Sequence, residues 1–278
     1  MNYFVTLHRK MNSGMKKTTI FLLIFAFLFS IVGGAEAQRR RTKRKAKART
    51  HRVVKRKRVP VRKPTIHENP YMQCEDTCQH VHGIDLSHYQ GEVFWETVGD
   101  KTSMAYVYLK ATEGADRIDA RYEHNIAMAH SHGLKVGSYH FFRPKSDLTL
   151  QLTNFTTQCL PGEQDLIPML DVESTGGLSE EQFCDSLTTF LGMLEEAYHQ
   201  KPLIYTGRNF YNKYLQGQLD DYMLMIAMYT DEEPELADGR DICLWQYTSR
   251  GTLNGVNGYV DKSRFMGQHE LRELRFVR

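Results

Sequence analysis

The chain has 278 residues and a formal net charge of +3, with 41% hydrophobic and 11% aromatic residues. That apolar share can bury a core and excludes a wholly disordered chain, and the length left between the ends suits about one domain. The net charge conceals a division: residues 39–63 hold 15 Lys and Arg and no acid, whereas residues 64–278 hold 17 basic against 32 acidic side chains, a net −15. A uniformly basic nucleic-acid binder is thereby excluded.

In chain order, Lys16 and Lys17 precede an apolar run over 20–32, and Ala35-Glu36-Ala37 follows. A positive flank, a short apolar core and a small-x-small end predict a signal peptide over 1–37, cleaved after Ala37, and an exported protein of the periplasm, cell envelope or exterior. The alternative is an uncleaved membrane anchor, although the run is shorter than the ~20 residues that span a bilayer. The charge of 39–63 itself opposes export by the positive-inside tendency. Residues 38–80 read as a basic disordered arm and linker, since like charges repel and few apolar groups are available to bury. Such an arm suits anionic cell-envelope polymers or lipids; the other reading is a solvated spacer. It carries no interleaved aromatics, so no specific nucleic acid is expected.

Cys74-x3-Cys78 followed by His80 and His82 admits a local disulfide, unpaired thiols or a crowded zinc cluster, and the total of five cysteines leaves one thiol over. Beyond His82 the pattern changes to short apolar runs, with strands expected at 83–86, 105–110, 135–140, 167–173, 203–206, 223–229 and 242–247. Helices are expected over 120–132, stopping at Gly133, and over 180–199. In the second, Phe183, Leu187, Leu191, Leu194 and Tyr198 follow helical spacing, and Ser179 with Gln182 forms a capping box. Strand–helix alternation predicts an α/β fold with a parallel sheet, open or closed into a barrel. Residues 268–278 read as a C-terminal tail.

Such folds carry their chemistry at the carboxyl ends of the strands. Those ends hold Asp85, Lys110, Tyr139 with His140, Asp171 with Glu173, Tyr205 with Thr206, Tyr229, and Trp245-Gln246-Tyr247. Asp171 and Glu173 stand two apart after an apolar run, on one face of a strand and about 6.5–7 Å apart along it. Two carboxyl groups at the edge of an apolar core do not both ionise cheaply, so one is available as a general acid, the chemistry of glycoside hydrolysis. A divalent-metal site or an ordinary strand end also fits a bare D-x-E. The aromatic strand ends suit a sugar, and there is no phosphate loop, serine elbow or HExxH. No cofactor and no metal are expected.

The stretches HGIDLSHYQGEVFWETV (82–98), YLKATEG (108–114), HNIAMAHSHGLKVGSYHFF (124–142), PMLDVE (168–173), LIYTGRNFYNKYL (203–215) and LWQYTSRGTLNGVNGYVDKSRF (244–265) resemble glycoside hydrolase family 25, which contains the Chalaropsis-type lysozymes. The resemblance implies an irregular (β/α) TIM-like barrel, a single catalytic domain over 81–267. It also implies cleavage of the β-1,4 bond between N-acetylmuramic acid and N-acetylglucosamine in the glycan strands of peptidoglycan. By position it makes Glu173 the general acid and Asp171 its assistant, with Asp85 and Asp261 as the other groove acids. It leaves Tyr139, His140, Lys110, Tyr205, Tyr229, Trp245 and Tyr247 as substrate-binding residues. The family often has Asn where this chain has Ser263, two residues after Asp261. The route, through the substrate's own acetamide or through a carboxylate directly, stays open, with the D-x-E pattern favouring the acetamide. The rival expectation from another class is an inactive wall-binding module that keeps the groove.

Overall fold

A computed structural model describes residues 82–100 and 104–277. The expected signal peptide (1–37), the arm and linker (38–80), and the Cys74, Cys78 and His80 cluster lie outside the described residues. The three described cysteines, Cys159, Cys184 and Cys243, are free thiols.

The elements in chain order are β1 (His82–Leu86), α1 (Trp95–Gly99), β2 (Met104–Glu113), β3 (Arg117–Ile118), α2 (Tyr122–Ser131), β4 (Lys135–Phe141) and α3 (Leu148–Gln158). They continue with β5 (Met169–Asp171), α4 (Glu180–Tyr198), β6 (Leu203–Gly207), α5 (Arg208–Tyr214), β7 (Leu224–Ala227), β8 (Leu244–Gly251) and β9 (Val260–Phe265). The sheet runs β1-β9-β8-β7-β6-β5-β4-β2-β3, and β1 also pairs with β2. It therefore closes into an eight-stranded barrel, with β3 as a short ribbon on β2. Strands β1 to β8 of the ring pair in parallel, and β9 pairs antiparallel with both β8 and β1. The expected barrel is present, and its irregularity lies in that one reversed strand.

Helix α4 shows how the sequence builds the outer layer. Ser179 accepts a hydrogen bond from the Gln182 amide while the Gln182 side chain reaches back to Ser179, so the expected capping box forms. Phe183, Leu187, Phe190, Leu191, Leu194 and Tyr198 are all buried, each contributing roughly 1.5–3 kcal/mol of burial. The barrel interior is filled by two tyrosines of β2. Tyr106 bonds Ser263 Oγ at 2.9 Å, and Tyr108 donates to the Ile167 carbonyl at 3.1 Å. Both need glycine opposite: a Cβ at Gly83 would lie 2.0 Å from the Tyr106 ring, and one at Gly137 would lie 2.3 Å from the Tyr108 ring.

Several boundaries differ from expectation. Strand β5 ends at Asp171, so Glu173 stands beyond the strand. Strand β9 was not expected, because its alternating charged residues hide a strand whose Lys262 is only 2% exposed. The segment expected as a C-terminal tail is docked on the barrel. Leu274 and Phe276 are buried, the Leu274 carbonyl accepts from the Ile167 amide at 2.7 Å, and the Phe276 amide donates to Asp165 at 2.8 Å. Burial of two large apolar side chains outweighs the polar composition of the segment.

Candidate active site

The carboxyl ends of the parallel strands open onto one pocket of roughly 210 Å³. Its lining includes Asp85 of β1, Lys110 of β2, Tyr139 and Phe141 of β4, Asp171 and Glu173 at the end of β5, Tyr205 of β6, Gln246 of β8 and Asp261 of β9. The reversal of β9 delivers Asp261 to this rim: in the antiparallel register Asp261 lies directly opposite Asp85. Asp85, Asp171, Glu173 and Asp261, the four expected acids, therefore meet in one place.

The acids differ in surroundings. Burial, with the charge of Asp261 next, pushes Asp85 up to about 8 against the pull of a Gln246 hydrogen bond. Burial and then the neighbouring Glu173 hold Asp171 well above the ordinary carboxylate range, opposed by Lys110 and Arg143. Glu173 is raised by burial, with Lys110 and Arg143 pulling it back. Burial and the charge of Glu173 bring Asp261 to about 6. One oxygen each of Asp85 and Asp171 (Oδ1) is buried without a hydrogen-bond partner. A buried lone pair left unsatisfied is costly, and in a cleft it marks where a substrate donor belongs.

Two polar networks hold the acids. The Tyr205 and Tyr229 hydroxyls both donate to Gln246 Oε1, at 2.9 and 2.7 Å, and Gln246 Nε2 donates to Asp85 Oδ2 at 2.7 Å. On the other side Glu113 accepts from Lys110 (2.7 Å), Arg117 (2.8 Å) and Arg143 (2.7 Å). Burial alone would raise Glu113, but the bonds from Lys110 and Arg143 hold it at about 2. The ionised Glu113 thus anchors two of its cations, Lys110 and Arg143, beside the Asp171–Glu173 pair, and both lie over the Phe141 ring.

Of the expected substrate-binding residues, Tyr139, Lys110 and Tyr205 line the cleft, and half-exposed Tyr229 reaches it through Gln246. Three are corrected. His140 lies on the outer face of β4, fully buried against Phe155 and Phe190. Its Nε2 donates to Gln151 Oε1, its Nδ1 accepts from Thr112, and burial lowers it to about 4. It is a neutral support: Gln151 in turn holds the backbone of Arg143 through both amide groups. Trp245 and Tyr247 also face away from the cleft. Trp245 Nε1 donates to the Met228 carbonyl at 2.7 Å under Arg264, and Tyr247 bonds His82. Successive strand residues alternate between faces, so the inward place on β8 goes to Gln246.

Sequence reasoning named Gln246 at a strand end without giving it a role and missed Glu113 and Arg143 altogether. All three lie inside the quoted motifs or next to one, but nothing local marks a glutamine or an ion pair as facing a cleft. Ser263, the departure from the family pattern, sits below the acids in the barrel and spends its hydroxyl on Tyr106. Among the described residues no cluster of His, Cys, Asp and Glu has a metal-holding arrangement.

Comparison with known proteins agrees with this geometry. The model for glycosyl hydrolases family 25 matches residues 84–256. The chain is 32% identical over 194 residues to the uncharacterized protein YegX of Escherichia coli K12, covering 68% of this chain and 71% of that protein. It is 30% identical over 201 residues to lysozyme M1 of Streptomyces globisporus, covering 67% and 68%. The solved structure of a family 25 glycosyl hydrolase from Bacillus anthracis superposes with a TM-score of 0.64 at 30% identity, covering 71% of this chain and 94% of that one. With its motifs, reversed-strand barrel and acid-lined cleft in agreement, the chain belongs to glycosyl hydrolases family 25.

Proposed function

We propose that the protein is a peptidoglycan muramidase, cleaving the β-1,4 bond between N-acetylmuramic acid and N-acetylglucosamine. The observation that carries the reading is the Asp171–Glu173 pair in the cleft, both raised above the ordinary carboxylate range. The lysozyme M1 relative supports the choice of substrate. Glu173, at the end of the pair nearer solvent, delivers the proton held by the raised pair to the leaving glycosidic oxygen as the bond to the anomeric carbon breaks. Asp171, deeper and with one oxygen unpartnered, accepts a hydrogen bond from the substrate's acetamide N–H and orients its carbonyl oxygen toward the anomeric carbon. Lys110 and Arg143 limit how far the pair is raised. Asp85, set by Gln246, and Asp261 bound the far side. Export through the N-terminal segment fits this substrate.

Release of soluble fragments from purified, dye-labelled peptidoglycan tests the reading. Glu173→Gln loses about 10²–10⁴-fold in rate with unchanged thermal unfolding. Turnover close to wild type in that variant contradicts the assignment, and an inactive wild type that still binds walls points to the wall-binding module instead.

A further inference from the structure

The turn after β1 carries Tyr89, which lines the cleft yet is 80% exposed. Exposure alone means little, since single surface aromatics are common. What sets Tyr89 apart is how it is held. Its ring packs on the His88 imidazole, centroids 4.1 Å apart. That imidazole donates to Asp119 Oδ2 at 2.6 Å, and Asp119, almost wholly buried, also accepts from the His88 amide (2.9 Å) and the Arg121 amide (2.9 Å). Ser87 and Gln90 close the turn with a reciprocal capping box. Gln90 Nε2 then crosses to the Tyr259 carbonyl at 3.2 Å. Tyr259 is itself 54% exposed, has the Arg250 guanidinium over its ring at 5.2 Å, and precedes Asp261 by two residues. The two turns are joined again where the Phe94 amide donates to Gly255 at 2.7 Å and Val93 bridges Val256.

We infer that Tyr89 and Tyr259 form a sugar-stacking rim that holds a glycan strand on the Asp85–Asp261 side of the cleft. The ligand is a run of pyranose rings held by their C–H faces; the inference extends the muramidase reading to how a long substrate is gripped. A pyranose presents a flat face of C–H groups to an aromatic ring, and the phenol adds a polar tip. A ring already fixed by a neighbour loses little freedom on binding, and the clamps on His88 and between the turns provide that order. Stacking on C–H faces, which needs no opposite charge, also suits a domain whose net negative charge gives no long-range attraction to an acidic wall.

The test uses peptide-free glycan fragments of increasing length, binding measured by calorimetry on the full chain carrying Glu173→Gln. Tyr89→Ala weakens the long fragments about three- to tenfold, has little effect on a single disaccharide, and Tyr89→Trp retains the wild-type profile. Tyr259→Ala behaves as Tyr89→Ala with a smaller loss. Equal weakening at every length, no weakening at all, or a Trp variant as weak as the Ala variant overturns the inference. So does a loss seen only with peptide-bearing fragments, which assigns the rim to the peptide. A length-dependent Tyr89 effect in a protein whose wild type cleaves nothing leaves the rim standing and removes the muramidase reading. Cleavage abolished by Glu173→Gln with no Tyr89 effect does the reverse.

Discussion

At the scale of single residues, Asp85 is the acid whose burial bears most directly on stability. It faces Asp261 across β1 and β9 in a buried position, and like charges directly opposite on a sheet repel. Its carboxyl titrates near 3.8 in the unfolded chain and about 8 in the folded protein. The folded state therefore holds the proton more tightly, and its stability declines as pH rises from the lower value through the upper. Asp85→Asn removes the titration while keeping an oxygen for Gln246 to donate to. At a pH of about 8 the variant should be more stable than the wild type by several kcal/mol, about 5 at most, the gap closing toward pH ~4. Denaturant melts across that range check this; a gap independent of pH contradicts it. Asp85, Asp171 and Glu173 were legible in the sequence because each stands at or just past the end of an apolar run, whereas Asp261 came from the family resemblance alone. The fates of His140, Trp245 and Tyr247 were not, because one residue of strand parity sends a side chain to the opposite face, and runs such as Leu244-Trp245-Gln246 contain no alternation to read.

At the scale of elements, the barrel's interior depends on strands made narrow at chosen points. Gly137 of β4 leaves its place to the Tyr108 ring, which reaches through to the Ile167 carbonyl. Gly137→Ala puts a methyl 2.3 Å from that ring and should cost ~1–3 kcal/mol or more, seen as a lower unfolding temperature. Gly192 of α4 makes the control, because a Cβ there meets nothing within 4 Å and Ala should add about 0.5–1 kcal/mol by helix propensity. Equal shifts for both would contradict interior packing as the cause. The seven apolar strands and two strongest helices could be read from period and capping. Helices α1, α3 and α5 and strand β9 could not. Helix α3 is largely Thr, Asn and Gln around Leu and Phe and is held by packing and by the Asp147 cap. Strand β9 exists because two neighbours offer it edges, a condition no local pattern records.

At the scale of the whole molecule, the charge division is the dominant feature: 15 basic side chains lie within 39–63 and a net −15 beyond. Walls rich in carboxylates repel the acidic part, so retention should depend on the arm and fall as salt rises. Deleting 38–63 should weaken binding to purified walls several-fold at low salt, flatten the salt dependence, and leave turnover on short soluble glycans unchanged. Retention that is the same with and without the arm at every salt concentration identifies it as a spacer. By itself the sequence determined the strand–helix alternation, the family motifs and the acids at the strand ends. The alternation and the strand-end acids follow from local periodicity and from which residues can sit where an apolar strand meets water; the motifs rest on the family resemblance. Only the tertiary structure decided that β9 runs backward to bring Asp261 opposite Asp85, that Gln246 rather than Trp245 faces the cleft, that Glu113 anchors the cations beside the Asp171–Glu173 pair, and that the last residues dock beneath the barrel. Each is set by contacts between segments far apart in the chain: register, face parity and charge balance arise only when the strands close into a ring.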